Sequence, residues 1–290
     1  MKEIQSICVA GAGNMGHQIA LHAAVSGFHV HCTDLSLPVL EQAESFSITW
    51  LEKQVQKQRM TRIKADEVLS RLIFTEDLIT AAQNADLVIE AIIEKLEVKR
   101  EFFARLDDIC PAHTILATNS SYIVSSKIAD ATRRPEKVLN LHFFNPALVM
   151  KLVEVVKGPH VSDETISAVF AVAEKLKKKA VLINKEIYGF VVNRFFSAIT
   201  REACYLLDQN VCSIEGIDTA VQNGLGHPLG PFELLDLTGI DLQYTVLMER
   251  YRETRSPSDK PSPALVERYA RGEFGRKTGK GFYDYKEANI

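Results

Sequence analysis

The sequence predicts an α/β fold, a Rossmann-type mostly parallel sheet joined to an all-α C-terminal domain. Three observations predict it. A strand-like run feeds a glycine-rich turn and then an amphipathic helix; short apolar runs alternate with longer helix-period segments as far as residue 185; strand runs then stop. A chain of 290 residues is long enough for two domains at roughly 150 residues each. Its 46% hydrophobic content excludes disorder as the main state. With 34 Lys and Arg against 37 Asp and Glu, the formal charge is -3. That balance gives no whole-chain basic field to draw in nucleic acid or a membrane surface. No window approaches the ~18 uninterrupted apolar residues of a membrane span. A small polar ligand is therefore the expected partner, with no nucleic acid and no membrane. Five cysteines without a C-x-x-C spacing (Cys8, Cys32, Cys110, Cys204, Cys212) suit neither a disulfide framework nor a zinc site and read as reduced, mostly buried side chains. No metal is expected.

The candidate strands of the N-terminal domain, residues 1–185, are residues 7–10, 28–33, 87–90, 114–117 and 137–141, each too short and too continuously apolar for a surface helix. Between them, Met15, Ile19 and Ala23 recur at every fourth residue, and Val98, Phe102, Phe103, Leu106 and Ile109 form an apolar stripe. Strands without a polar face imply a parallel sheet covered by helices on both sides. A polar helical insertion, residues 37–58 with a shorter piece at 65–69, carries Lys53, Lys57 and Arg59. These cations are either a solvated face or an arm that meets ligand phosphates. Beyond Pro146, residues 150–157 read as a strand, residues 166–176 as a helix and residues 180–183 as a strand. A boundary falls near residues 184–189, and residues 186–290 form the helical domain. Its first helix, expected over residues 190–207, is apolar on several sides and needs a cover. A homodimer through this domain supplies one.

The run Ile7-Cys-Val-Ala-Gly11-Ala-Gly13-Asn14-Met15-Gly16 is a strand entering G-x-G-x-x-G, with a helix directly behind. Gly11 permits the tight turn, Gly13 the approach of a pyrophosphate, and Gly16 close packing of helix on strand. Asp34, at the end of the second strand, occupies the position whose carboxylate bonds the ribose hydroxyls and repels a 2'-phosphate, which favours NAD over NADP. A glycine turn that binds nothing, or that binds FAD, is the competing reading.

Leu139-Asn-Leu-His142-Phe-Phe-Asn145-Pro146 places a histidine at the end of a strand, where ligands of open α/β sheets sit. A lone histidine there is more often structural than catalytic. Glu154 changes the balance, because an antiparallel return after the Asn145-Pro146 turn brings its carboxylate beside the imidazole. A carboxylate fixes the tautomer and stabilises the protonated ring, as a base that collects an alcohol proton requires.

The run from His142 to Glu154 resembles the short-chain L-3-hydroxyacyl-CoA dehydrogenases, particularly the bacterial 3-hydroxybutyryl-CoA dehydrogenases. The likeness extends in order to the Gly11–Gly16 loop, residues 85–94, Ala117-Thr-Asn119-Ser-Ser121, Gly189-Phe-Val-Val-Asn193-Arg194, residues 227–236 and Gly275-Arg-Lys-Thr-Gly-Lys-Gly-Phe-Tyr283. It implies that His142 is the base on the 3-hydroxyl, that Glu154 orients it, and that Ser121 and Asn193 hold the substrate oxygen, the latter from the helical domain. It also implies that Asn145 lies near nicotinamide and substrate, that Gly11, Gly13, Asn14, Met15, Gly16, Asp34, Glu94, Lys99 and Asn119 serve the cofactor, and that Lys57 meets a CoA phosphate. Two positions depart from the family: Tyr188 stands where proline is common, and Tyr122 where many members have serine or threonine. With Tyr122 after it, the turn leaves Ser120 as an alternative to Ser121.

The activity so implied is reversible, NAD-dependent oxidation of a (3S)-3-hydroxyacyl-CoA. Two alternatives stand beside it: a sister dehydrogenase of a small hydroxy acid or sugar acid, for which a basic helical arm has no use, and a non-catalytic NAD-binding structural protein, which has no need of both His142 and Glu154. A strand-like run that starts three residues after Met1 leaves no space for a signal or transit segment, so a cytoplasmic location is expected.

Overall fold

The structure is a computed structural model that describes residues 3–285. Residues 1, 2 and 286–290, at the outer ends of the two expected domains, lie outside the described residues. The chain divides into two compact units between Phe190 and Val191.

The first unit is an eight-stranded sheet. Its elements in order are β1 (Ser6–Ala10), α1 (Gly16–Val25), β2 (His29–Thr33), α2 (Leu37–Gln56), α3 (Arg62–Ser70), β3 (Leu72–Thr75), α4 (Leu78–Ala82), β4 (Leu87–Glu90), α5 (Leu96–Ile109), β5 (Ile115–Thr118), β6 (Val138–Phe143), β7 (Leu152–Val156), α6 (Asp163–Lys175) and β8 (Lys179–Ile183). The strands lie in the order β3-β2-β1-β4-β5-β6-β7-β8. All neighbours run parallel except β6 and β7. The hydrophobic pattern explains why both faces are covered. Along β1, Ile7 and Val9 enter the core shared with α1, α2 and α6, while Cys8 enters the core shared with α4 and α5; Leu87 and Ile89 against Val88 repeat the division in β4. β3 is an element that the sequence reading passes over, a four-residue edge strand after the helical insertion. Among the described residues the five cysteines are free, and all but Cys212 are buried. Burial pushes the Cys32 thiol up to about 12.

The second unit contains α7 (Val192–Asp208), α8 (Ile214–Leu225), α9 (Pro231–Thr238), α10 (Ile240–Thr254) and α11 (Pro263–Ala270) around Ile217, Phe232, Leu235, Leu265 and Phe282. The expected first helix is corrected at its start. Phe190 has φ 45 and is fully buried with Val156 and Ile183, so it belongs to the first unit and the helix begins at Val192. A left-handed backbone cannot continue a right-handed helix. Two motifs of the family likeness serve this unit's architecture. Asp218 caps α9 by accepting from the backbone N–H groups of Phe232 and Glu233, and Asp236 accepts from those of Phe282 and Tyr283, which folds the 275–283 segment onto α9. Among the described residues no helix is long and apolar enough to cross a membrane.

Candidate active site

Sheet register builds the site. In the antiparallel β6–β7 pair, His142 stands directly opposite Glu154. Cross-strand partners are close enough for their side chains to meet, and Glu154 Oε2 accepts from His142 Nδ1 at 2.8 Å. Both are buried, at 4% and 1% exposure. With Nδ1–H donating to the carboxylate, Nε2 carries the lone pair and faces the Ser121 hydroxyl at 3.0 Å. Rings of Phe144 and Phe190, with centroids 4.6 and 5.4 Å from that of the imidazole, enclose it. Within this apolar enclosure a charge on the ring interacts with Glu154 more strongly than it would in water.

The loop after β5 supplies Ser121 and is held by a residue that sequence reasoning missed. Asn140, fully buried in β6, donates from Nδ2 to the carbonyls of Ser120 and Ile123 and accepts at Oδ1 from Ser125 N–H. A buried-strand asparagine two residues before His142 was the available signal. The two serines divide: Ser121 faces His142, whereas Ser120 bonds Glu94 and accepts from the N–H groups of Ile123 and Tyr122. Asn119 is turned inward, with Oδ1 accepting from Phe143 N–H at 2.9 Å. Asn145 is exposed in the turn after β6.

Glu94 and Lys99 join a network that sequence reasoning saw only in part. Lys99 is 1% exposed, and its ammonium lies 2.6 Å from Glu90 Oε1 and 3.2 Å from Glu94 Oε2. Glu90, fully buried, also accepts from Thr118 Oγ1 and Ile92 N–H. Lys99 is thus a counter-ion within the protein, and it fixes Glu94 at the mouth of the sheet. The signal was present in Leu87-Val-Ile-Glu90, an acid that ends an apolar strand. Lys57 stands exposed at the end of α2, and Asn193 lies in the first turn of α7 in the second unit.

At the carboxyl ends of β1, β2 and β4 lies a cleft of about 530 Å³ lined by Gly11, Gly13, Asp34, Leu35, Ile93 and Val98, among others. The residues present fit a dinucleotide. A Cβ on Gly11 stands 2.6 Å from the Ala91 carbonyl oxygen, and one on Gly16 stands 1.7 Å from the Gly11 carbonyl oxygen, so the turn and the close approach of α1 both require glycine. At Gly13 nothing lies within 4 Å, which leaves the space for phosphates open. Asn14 and Met15 complete the turn into α1. Asp34 is braced by the N–H groups of Ala12 and Ser36 and stands on the cleft, where its carboxylate suits the hydroxyls of a ribose.

Comparison with known proteins gives the family. The 3-hydroxyacyl-CoA dehydrogenase NAD-binding domain matches residues 6–187, and the C-terminal domain of the same family matches residues 189–285. The chain belongs to the 3-hydroxyacyl-CoA dehydrogenase family. It is an NAD-dependent dehydrogenase. A probable 3-hydroxybutyryl-CoA dehydrogenase of Bacillus subtilis is 40% identical over 98% of this chain and 99% of its own length. The mitochondrial hydroxyacyl-coenzyme A dehydrogenase of Homo sapiens is 38% identical over 98% and 92%. The crystal structure of a (S)-3-hydroxybutyryl-CoA dehydrogenase from Ralstonia eutropha superposes with a TM-score of 0.91 at 33% identity, covering 98% of this chain and all of that one.

Proposed function

We propose that the protein oxidises a short-chain (3S)-3-hydroxyacyl-CoA, such as 3-hydroxybutyryl-CoA, reversibly to the 3-oxoacyl-CoA. The observation that carries this reading is the double engagement of the His142 imidazole, Nδ1 on Glu154 and Nε2 on Ser121. Oxidation of a secondary alcohol takes a proton from oxygen and a hydride from carbon; NAD, when bound, accepts the hydride. His142 Nε2 takes the proton, and Glu154 offsets the charge that the imidazolium then carries. Ser121 Oγ turns its hydrogen to the substrate oxygen and holds it as it becomes a carbonyl, with Asn193 as a second donor. In the reverse direction Nε2–H returns the proton to the ketone oxygen. Asn145 orients substrate and nicotinamide, Asn119 and Glu94 shape the cofactor side, and Lys99 acts there through Glu94. Lys57 meets a CoA phosphate; a chain of net charge -3 has to supply such cations locally.

The first unit, in this reading, carries cofactor and base, and the second carries substrate contacts and the dimer interface. Support for the dimer comes from α7, where Phe195 and Tyr205 are 66% and 55% exposed.

Purified protein with NAD and L-3-hydroxybutyryl-CoA should generate NADH absorbance, and a chain-length series of 3-hydroxyacyl-CoA substrates should peak at short acyl groups. Turnover of free hydroxy acids with none of any 3-hydroxyacyl-CoA would overturn the proposal. His142→Gln should abolish turnover with NADH binding nearly intact; a parallel loss of NADH affinity would give the histidine a structural role instead.

A further inference from the structure

The two positions at which this chain departs from the family pattern, Tyr122 and Tyr188, are brought together by the fold. Their ring centroids lie 4.7 Å apart with 33° between the ring planes. Each ring is anchored beside a group that touches His142. Tyr122 follows Ser121, whose hydroxyl lies 3.0 Å from Nε2; Tyr188 stands two residues before Phe190, whose ring packs on the imidazole. Two residues before Tyr188, Glu186 Oε1 accepts from Ser125 Oγ and from Ser126 N–H, both at 2.8 Å. The 186–190 segment is therefore fastened along the 121–126 loop, and the tyrosine pair joins the two one residue from Ser121 and two from Phe190.

A proline at position 188 fixes its own φ covalently. Tyrosine has no such restriction, so the segment that leads into Phe190 must be fixed by contacts. Phe190 needs them: it holds φ 45 while fully buried, a conformation that a bulky side chain keeps only where its surroundings impose it. Serine or threonine at 122 offers no ring for position 188 to pack on. The two exchanges make sense together, the ring at 122 supplying the stiffness that the missing proline does not.

We propose that Tyr122 and Tyr188 are a coupled pair of positioning residues, whose ring contact sets the Ser121 hydroxyl and the Phe190 ring against His142. The proposal rests on the reading of His142 and Ser121 as the proton-transfer pair. Neither tyrosine is assigned contact with substrate; both act through Ser121 and Phe190.

The test is a double-variant cycle of Tyr122→Ser, Tyr188→Leu and the two combined, with Tyr122→Phe and Tyr188→Phe as conservative variants that keep the rings. An aromatic pair of ordinary strength translates into a kcat loss of about 3- to 10-fold in each single variant. The KM for NAD should stay unchanged, the double variant should lose no more than the weaker single, and both Phe variants should retain wild-type kcat. Losses that multiply in the double variant, or wild-type kcat in both singles, would overturn the pairing. A second readout does not depend on the substrate: the imidazole nitrogen NMR signals of His142 in protein without cofactor should move alike in both singles and the double variant, and return in the Phe variants. If the wild-type protein turns over no 3-hydroxyacyl-CoA, the proposed function fails, and the NMR series still decides the pairing. His142 signals that stay at their wild-type positions in Tyr122→Ser and Tyr188→Leu, even with a lowered Tm, would mark a contact with no bearing on the histidine.

Discussion

At the scale of single residues, burial decides which side chains are available for chemistry. His142 and Glu154 were legible in the sequence because a histidine that ends an apolar strand, followed by an acid in the next, leaves few geometries. Lys99 was legible only as a position the family likeness implies; its enclosure by Glu90 and Glu94 depends on how the short turn between β4 and α5 brings the first turn of the helix back onto the strand end, which spacing alone does not give. Burial also sets a pH response away from the site. His22 sits under the end of α6 with Nε2 donating to the Leu176 carbonyl, and desolvation, aided by the nearby Lys178 ammonium, lowers its pKa to about 4. In the unfolded chain the imidazole returns to its ordinary value of roughly 6.5. The unfolded state thus binds more protons between these values, so this contribution to stability is present above about pH 6.5 and is lost as pH falls toward 4. Its ceiling is on the order of 3 kcal/mol. Thermal unfolding from pH 7 to 4.5 should show a Tm that falls with acid in the wild type and falls less steeply in His22→Gln; parallel curves would refute the assignment.

At the scale of elements, the glycine turn and the β6–β7 register carry the site. The turn was readable because its constraints are local: a positive φ at Gly11 and a helix packed against a carbonyl at Gly16. Gly16 and Gly13 make different predictions. Gly16→Ala drives a methyl into the Gly11 carbonyl and should lower both Tm and NADH affinity, whereas Gly13→Ala meets nothing in the protein and should leave Tm near wild type and weaken NADH binding alone. Thermal melts paired with NADH fluorescence titrations check this, and a Gly13→Ala variant with wild-type affinity would remove the phosphates from that turn. β3 escaped the reading because only Arg71 separates it from α3, with no glycine or proline between them to mark the change from helix to strand. The helix expected from Phe190 began two residues late because Phe190 is taken by the core of the first unit, a long-range demand that no helical periodicity records.

At the scale of the whole molecule, the second unit poses the question of what covers α7. A helix whose Phe195 is 66% exposed leaves apolar area in water at a cost of roughly 25 cal/mol per Å². Closure of that face in a homodimer predicts a species of about twice 32.4 kDa for the wild type in sedimentation equilibrium. Phe195→Glu should shift the distribution to monomer with the NAD-binding unit still able to bind NADH. A wild-type monomer at all concentrations would sink the dimer. The motifs at residues 227–236 and 275–283, known from the sequence only as part of the family likeness, serve this unit's interior, since the Asp218 and Asp236 carboxylates accept from their backbone N–H groups.

The sequence by itself determined the fold class, the dinucleotide turn and the histidine with its acid, because each follows from local rules: period, positive φ and a strand-end position. Only the tertiary structure decided which serine faces His142, where Lys99 spends its charge, and that Tyr122 meets Tyr188. The serine and tyrosine contacts depend on the meeting of segments distant in the chain, and the Lys99 contact on how the turn from β4 into α5 folds back on itself; contact at 3 to 5 Å is set by the packing of the sheet and its loops, a quantity that spacing does not encode.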